Sequence, residues 1–169
     1  MRPEQSGETI SPVPISSQQL SLQHLDRCVA LDQRALGGLW SPRQWSEELG
    51  DGRRPCTGLL REGELLALAC GWLVVDELHI TAVAVDPAWQ RRGLGRRVLL
   101  DLLAWGQRDG AIHATLEVAA GNGAGCALYA SCGFQRAGVR RAYYRNGDDA
   151  LIQWRRLDDA ETVRIAAHS

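Results

Sequence analysis

The stretch DPAWQRRGLGRRVLL, residues 86–100, sets four arginines (Arg91, Arg92, Arg96 and Arg97) around two glycines, Gly93 and Gly95. A strand-like run, ELHITAVAV (77–85), precedes it, and an apolar helical stripe follows. Glycine lets the backbone take positive φ and approach a ligand closely. The N–H groups of a first helical turn, with the helix dipole, favour a diphosphate, and arginines add charge-assisted contacts. On these residues three readings stand: a dinucleotide fingerprint, a solvated basic helix end, and a diphosphate cradle of the form Q/R-x-x-G-x-G/A. The fingerprint fails at its third glycine, where Val98 stands, and the turn does not open the chain.

The elements that must position this turn follow from hydrophobic period and turn residues. A short strand is expected around Val13–Ser17. Residues 21–36 place Leu22, Leu25, Val29 and Leu36 at helical spacing, with Ser21 able to cap. Residues 38–50 read as a second helix, with Ser41 as N-cap and Pro42 at the first position. Residues 56–75 read as a hairpin turning at Arg61–Glu64, and 77–85 as the next strand, stopped by Asp86–Pro87. A helix over 93–110 carries Leu94, Val98, Leu102 and Trp105 and ends at Gly106–Gly110. A strand (113–120), a short helix (122–133) and a hairpin (134–145 with 149–157, turning at Asn146–Gly147) complete the chain. The order β-α-α-β-β-β-α-β-α-β-β implies an α/β chain of mixed α+β character, one mixed central sheet with helices on both faces. Residues 1–12 are expected to be a flexible tail, 13–160 the domain and 161–169 a C-terminal tail.

Composition bounds the function. The chain has 169 residues, enough for one domain with a real core, and a net charge of −1. Bulk attraction to nucleic acid or membrane is therefore not indicated, and no direct nucleic-acid or membrane partner is expected. All 19 basic residues are arginine, which excludes Schiff-base lysines and the P-loop lysine. The 5 cysteines are odd in number and form no C-x-x-C, and the 4 histidines lack ligand spacing, so neither disulfides nor a metal are expected. The N-terminus shows no signal-peptide pattern and no apolar run approaches a membrane span, so a reduced, cytoplasmic protein, monomer or weak dimer, is expected.

The turn resembles the acetyl-CoA site of the GNAT superfamily of N-acetyltransferases. Residues 77–157 are similar to its ribosomal-protein-alanine N-acetyltransferase (RimI) subfamily through VAVDPAWQRRGLGRRVL, LEVAAGNGAGCALYASCGF and RRAYYRNGDDAL. LWSPRQWSEEL resembles that subfamily's early helix. The resemblance implies a GNAT fold and acetyl-CoA as co-substrate. It implies that main-chain groups of Val83, Ala84 and Val85 bond the pantetheine arm. Arg91, Arg92, Gly93, Leu94, Gly95 and Arg96 would cradle the diphosphate, and Asn122 would hold the arm near the thioester. Glu117 would accept a proton, Tyr129 would donate one, and the Val85 N–H would face the oxyanion. The implied reaction is direct attack of an amine in a ternary complex. The implied acceptor is a protein N-terminus, specifically the N-terminal alanine of a small-subunit ribosomal protein. Another peptide or small-molecule amine, or a non-catalytic nucleotide- or RNA-binding module, are the alternatives.

The residue types suit that chemistry. An α-amine of pKa ~7.8 is neutral in about one molecule in seven at pH 7, against about one in 2,500 for a lysine side chain. A moderately basic carboxylate therefore suffices for an N-terminal amine. Several residues keep other readings. Glu117 also reads as a solvated or paired carboxylate, Tyr129 as core packing, and Asn122 as a helix cap. His79, on one strand face with Thr81, Val83 and Val85 by period two, is the rival base or a half-buried strand histidine. Cys126, one turn before Tyr129, has no identifiable basic partner and reads as packing. Tyr143 and Tyr144, like Trp40 and Trp45, either line a peptide groove or shield the sheet. Asp76, Glu77, Asp148 and Asp149 either attract a basic peptide or are solvated loop acids. GNGAG departs from the subfamily's Ser-Asn-Ala pattern, which weakens the helix carrying Tyr129 by roughly 1 kcal/mol per glycine.

Overall fold

The computed structural model describes residues 13–157, and both expected tails, with residues 158–160, lie outside the described residues. Seven strands form one sheet in the order β1-β2-β3-β4-β5-β7-β6. The strands are β1 (Ser16–Gln19), β2 (Cys56–Arg61), β3 (Glu64–Val74), β4 (Glu77–Val85), β5 (His113–Ala119), β6 (Gln135–Arg140) and β7 (Ala150–Arg156). Helices α1 (Leu25–Leu36) and α2 (Pro42–Gly50) connect β1 to β2, α3 (Leu94–Arg108) makes the crossover from β4 to β5, and α4 (Gly123–Ser131) precedes β6. Among the described strands only β4 and β5 pair in parallel, with α3 carrying the chain back between them. The mixed sheet with helices on both faces is as expected. No helix among the described residues is long and apolar enough to cross a membrane.

Local chemistry explains the boundaries. The first strand begins at Ser16 rather than Val13, because Pro12 and Pro14 have no N–H to give a ladder. Residues 22–36 break into a 3-10 turn and α1, and the His24 Nδ1 accepts the Ser21 N–H at 3.0 Å. Ser41 and Gln44 form a reciprocal capping box, with bonds of 3.2 and 2.8 Å, and Pro42 opens α2. Helix α3 runs on through Gly106. A Cβ there would lie 2.7 Å from the Leu78 side chain, so the glycine permits close helix–strand contact. The last hairpin departs from expectation. Strand β6 stops at Arg140, Ala142 takes φ of 51°, and residues 141–149 form a loop. The Asp149 carboxylate holds that loop by accepting the Ala142 N–H at 2.9 Å.

Two buried layers sandwich the sheet. Leu66, Leu78, Ile80, Leu99, Leu103 and Leu116 pack on the α3 side, and Cys28, Leu31, Trp45, Leu68, Ala82 and Ala84 on the α1/α2 side. Strand β4 changes sides. Its Leu78 and Ile80 belong to the first layer, its Ala82 and Ala84 to the second. The cause is a β-bulge: Ala82 opposes Cys70 and Ile80 opposes Gly71, so Thr81 opposes nothing.

The loop from α1 to α2 is fixed by one buried carboxylate. Asp32 accepts the Leu39 N–H at 2.7 Å, the Trp40 N–H at 3.0 Å and the Trp45 Nε1–H at 2.8 Å. Replacing it strands three donors, and a buried unpaired donor costs about 1–3 kcal/mol. Asp32→Ala is expected to lower stability by about 3 kcal/mol or more in urea unfolding, and Asp32→Asn by less, since one acceptor oxygen remains. Equal midpoints for Asp32→Ala and wild type would contradict this.

Candidate active site

The parallel ladder between β4 and β5 is short. It runs only from Glu77↔His113 to His79↔Thr115 and stops at the bulge. Beyond it the strands part. The Asp86 N–H donates to the Leu66 carbonyl at 2.8 Å. By the alternation of an antiparallel ladder, Ala84 also faces β3, while the main-chain groups of Val83 and Val85 point away from it, into the gap. A cleft of about 400 Å³ fills this gap, and Leu36, Leu39, Thr81, Val83, Glu117, Asn122, Tyr129 and Tyr144 line it. Glu117, Tyr129, Asn122 and Val83, singled out from the sequence, thus come together. Leu94 and Ala84 are buried, so only their main chains can serve a ligand.

The glycine–arginine turn lies at the end of β4. Asp86 caps a 3-10 turn (Pro87–Trp89) by accepting the Ala88 N–H at 2.9 Å, and it pairs with Arg34 at 3.1 Å. Arg91 (φ 63°) and Gly93 (φ 76°) are both left-handed, and Gly93 caps α3. The Arg97 N–H reaches the Gly93 carbonyl at 3.1 Å. The N–H groups of Leu94, Gly95 and Arg96 come before that first helical bond, which leaves them for an anion. Gly95 packs beside Leu128 and Val85, where a Cβ would sit 3.4 Å from each, about ordinary contact distance. The arginines also divide. Arg91 and Arg92 are exposed, and the Arg92 guanidinium lies 4.6 Å from the Trp89 ring. Arg97 is committed to the Ile15 carbonyl at 3.0 Å.

The titratable groups are held as follows. The Glu117 side chain is 22% exposed and pairs with the Arg140 Nε at 3.1 Å. Burial pushes the Tyr129 phenol up to about 12, with Cys126, Cys132 and Tyr144 adding to it. Burial also raises Tyr144, reinforced by Glu117. The Asn122 Oδ1 caps α4 through the Gly125 N–H at 2.9 Å, which leaves the Nδ2 for a ligand. The Cys126 thiol approaches the Ala119 carbonyl at 4.0 Å and packs against the core. Asp148 and Asp149 organise the loop over 141–149 rather than facing the cleft. No cluster of three metal-ligating side chains occurs among the described residues.

His79 is corrected by the bulge. Period two placed it with Val83 and Val85, but the extra residue at Thr81 turns those valines to the α3 side, while His79 faces the side of α1. It pairs with Trp72 and lines a separate cavity of about 550 Å³. Three contributors escaped the sequence reading. Leu39 and Arg140 reach the site through long-range contacts that no local motif signals. Thr81 sits inside an unbroken alternating run.

The Thr81 hydroxyl is buried without a hydrogen-bond partner. An orphan hydroxyl beside a cleft is a cost in the empty protein that a ligand can recover. Thr81→Val is expected to leave the empty protein as stable or up to about 1 kcal/mol more stable. It is also expected to reduce the rise in Tm that coenzyme A produces. An unchanged rise would show that the hydroxyl meets no ligand.

The comparisons with known proteins agree with this geometry. The model of the acetyltransferase (GNAT) family matches residues 22–134. The N-alpha-acetyltransferase RimI of Mycobacterium tuberculosis is 35% identical over 158 residues, covering 89% of this chain and 98% of that protein. The [ribosomal protein bS18]-alanine N-acetyltransferase of Escherichia coli is 38% identical over 125 residues, covering 72% and 84% respectively. The crystal structure of the ribosomal-protein-S18-alanine N-acetyltransferase from Escherichia coli superposes with a TM-score of 0.79 at 33% identity, covering 87% of this chain and 96% of that one. A split parallel ladder beside a glycine-capped helix, matched by family and fold alike, places this chain in the acetyltransferase (GNAT) family.

Proposed function

We propose that the protein transfers the acetyl group of acetyl-CoA to the α-amine of a polypeptide, with the N-terminal alanine of ribosomal protein bS18 as the specific acceptor. The observation that carries this reading is the convergence of Glu117 and Tyr129 on one cleft lined by Val83, beside the main-chain groups of Val83 and Val85 that face away from β3. The relatives named for bS18-alanine and N-alpha-acetylation support the acceptor class. A nucleotide- or RNA-binding module would have no use for that pair.

The site suits acetyl-CoA. Its diphosphate would rest on the N–H groups of Leu94, Gly95 and Arg96, flanked by Arg91 and Arg92. Its pantetheine arm would complete the gap as a missing strand, bonding Val83 and Val85, with the Asn122 Nδ2 near the thioester. The acceptor nitrogen attacks the thioester carbonyl, and the developing oxyanion meets the Val85 N–H. Glu117 takes the proton the nitrogen loses, directly or through one water. The C–S bond then breaks and a thiolate leaves.

Tyr129 donates its O–H to the departing thiolate. Burial raises its phenol to about 12, which keeps the proton on it until that thiolate forms. The same burial disfavours a free thiolate and so favours the proton's transfer to sulfur.

Glu117→Gln is expected to lower kcat about 100-fold and to move the acidic limb of the pH–rate profile up toward the pKa of the free amine, ~7.8. Tyr129→Phe is expected to lower kcat while sparing KM for acetyl-CoA. Since a donor must hold its proton, wild-type rates should not fall through Tyr129 below pH about 11. Asn122→Asp keeps the cap but loses the Nδ2 donor, so Tm should hold while KM for acetyl-CoA rises. Release of coenzyme A, followed with N-terminal peptides differing in their first residue, checks all three. No release with any peptide amine would refute the proposal.

A further inference from the structure

The face of the sheet that carries Glu117 continues past the cleft. Strand register sets out its rows. Glu77 lies beside His113, His79 beside Thr115 with Trp72 on its other flank, Thr115 beside Trp154, and Glu117 beside Ile152. Among the described residues, α1 packs mainly on β3 and β4 rather than on β5 or β7. The described helices thus leave the face from Glu117 toward Glu77 open, and Trp72 and Trp154 are exposed on it. It leads to the cavity of about 550 Å³ walled by Trp72, Val74, Val75, Asp76, Glu77 and His79.

The chemistry of that far end is specific. Asp76 and Glu77 make no ion pair among the described residues, while Trp72 already takes a guanidinium on its ring, that of Arg54 at 5.0 Å. Arg54 is itself neutralised by Glu48 and Asp51. An aromatic surface beside free carboxylates suits a further arginine or lysine. Direction follows from the site. Diphosphate and α3 occupy one face, so the acceptor enters from the other, where Glu117 lies. Glu77 is four strand residues from Glu117 in register, about 13 Å at ~3.3 Å per residue. An extended acceptor covers that distance by its fourth or fifth residue.

We infer that this uncovered sheet face is a second acceptor subsite, on which the extended chain behind the N-terminus lies over His79, Thr115 and Trp154 and sets a basic side chain at its fourth or fifth position against Trp72, Asp76 and Glu77. The inference rests on the peptide-acceptor reading above and deepens it by assigning specificity beyond the first residue.

The test compares a tripeptide with octapeptides that share its first three residues and carry either Arg or Ala at positions four and five. Wild type should show kcat/KM about fivefold higher for the Arg octapeptide than for the Ala one, as expected for one or two part-exposed ion pairs. The difference should shrink with salt. In the double variant Asp76→Asn, Glu77→Gln it should vanish, and in Trp72→Ala it should fall. The tripeptide, too short to reach these residues, reads folding and chemistry in each variant. Equal values for the two octapeptides in wild type, or a preference that survives in the double variant, overturns the subsite. No turnover of any peptide by wild type, tripeptide included, instead defeats the acceptor reading and the subsite with it.

Discussion

One unopposed residue, Thr81, governs the site. Up to His79, β4 has a partner on each side, and its side chains alternate in one phase. The bulge bends the strand away from β5 and shifts that phase by one. Main-chain donors and acceptors are left facing a gap in the middle of the sheet. Buried backbone groups without partners are costly, so a seam of this kind persists only where the surroundings hold it open or a ligand closes it. Here α3 holds it. Gly106 lets that helix press on Leu78 before the bulge, and the helix start at Gly95 packs beside Val85 beyond. The two contacts brace β4 on both sides of its bend.

In the proposed reaction the same shift in phase would separate the two substrates. Val83 and Val85 turn toward α3, whose N-terminus provides positive potential, so a diphosphate would be favoured on that side. Glu117 faces the other side, with Leu39 and Tyr144. A carboxylate placed among the arginines of the turn would compete with the diphosphate for them. Set across the sheet, it would reach only the thioester end in the proposed reaction, where an amine must lose a proton. The buried Asp32 extends the arrangement. By tying the α1–α2 loop to α1 and α2 at once, it fixes where Leu39 stands at the mouth of the cleft.

Much of this was legible in the chain itself. Glycines and prolines punctuate the elements, and the periods assign nearly all of them, because local propensity and tertiary packing agree along most of the sequence. The turn into α3 was legible because its shape is set by backbone, and backbone geometry leaves its mark as the left-handed Gly93. What escaped depends on registry between distant segments. ITAVAV alternates without interruption, so nothing in it reveals that Thr81 lacks a partner, and His79 was assigned to the wrong face for that reason alone. Arg140 meets Glu117 only because β7 lies between their strands. Strand β6 ends early because Ala142 adopts a left-handed backbone that its residue type does not advertise.

The glycines before and within α4 show how propensity misleads when read singly. By helix scale, GNGAG weakens the segment carrying Tyr129. In place, a Cβ on Gly121 would lie 2.9 Å from the Asp148 carboxylate, and one on Gly125 would lie 2.7 Å from the Asn122 amide. The first glycine lets the β6–β7 loop settle against the start of α4, and the second lets Asn122 fold back over the helix end it caps. The propensity deficit is thus offset by contacts that fix Asn122 and the loop bearing Tyr144, both of which line the cleft. Gly123 meets nothing within 4 Å and has no such account. The Glu117–Arg140 pair lies just before that loop, with Glu117 on β5 and Arg140 the last residue of β6. With the guanidinium 57% exposed, it contributes at most about 1 kcal/mol. That is enough to orient the carboxylate in the empty site, and too little to keep it from an arriving ammonium.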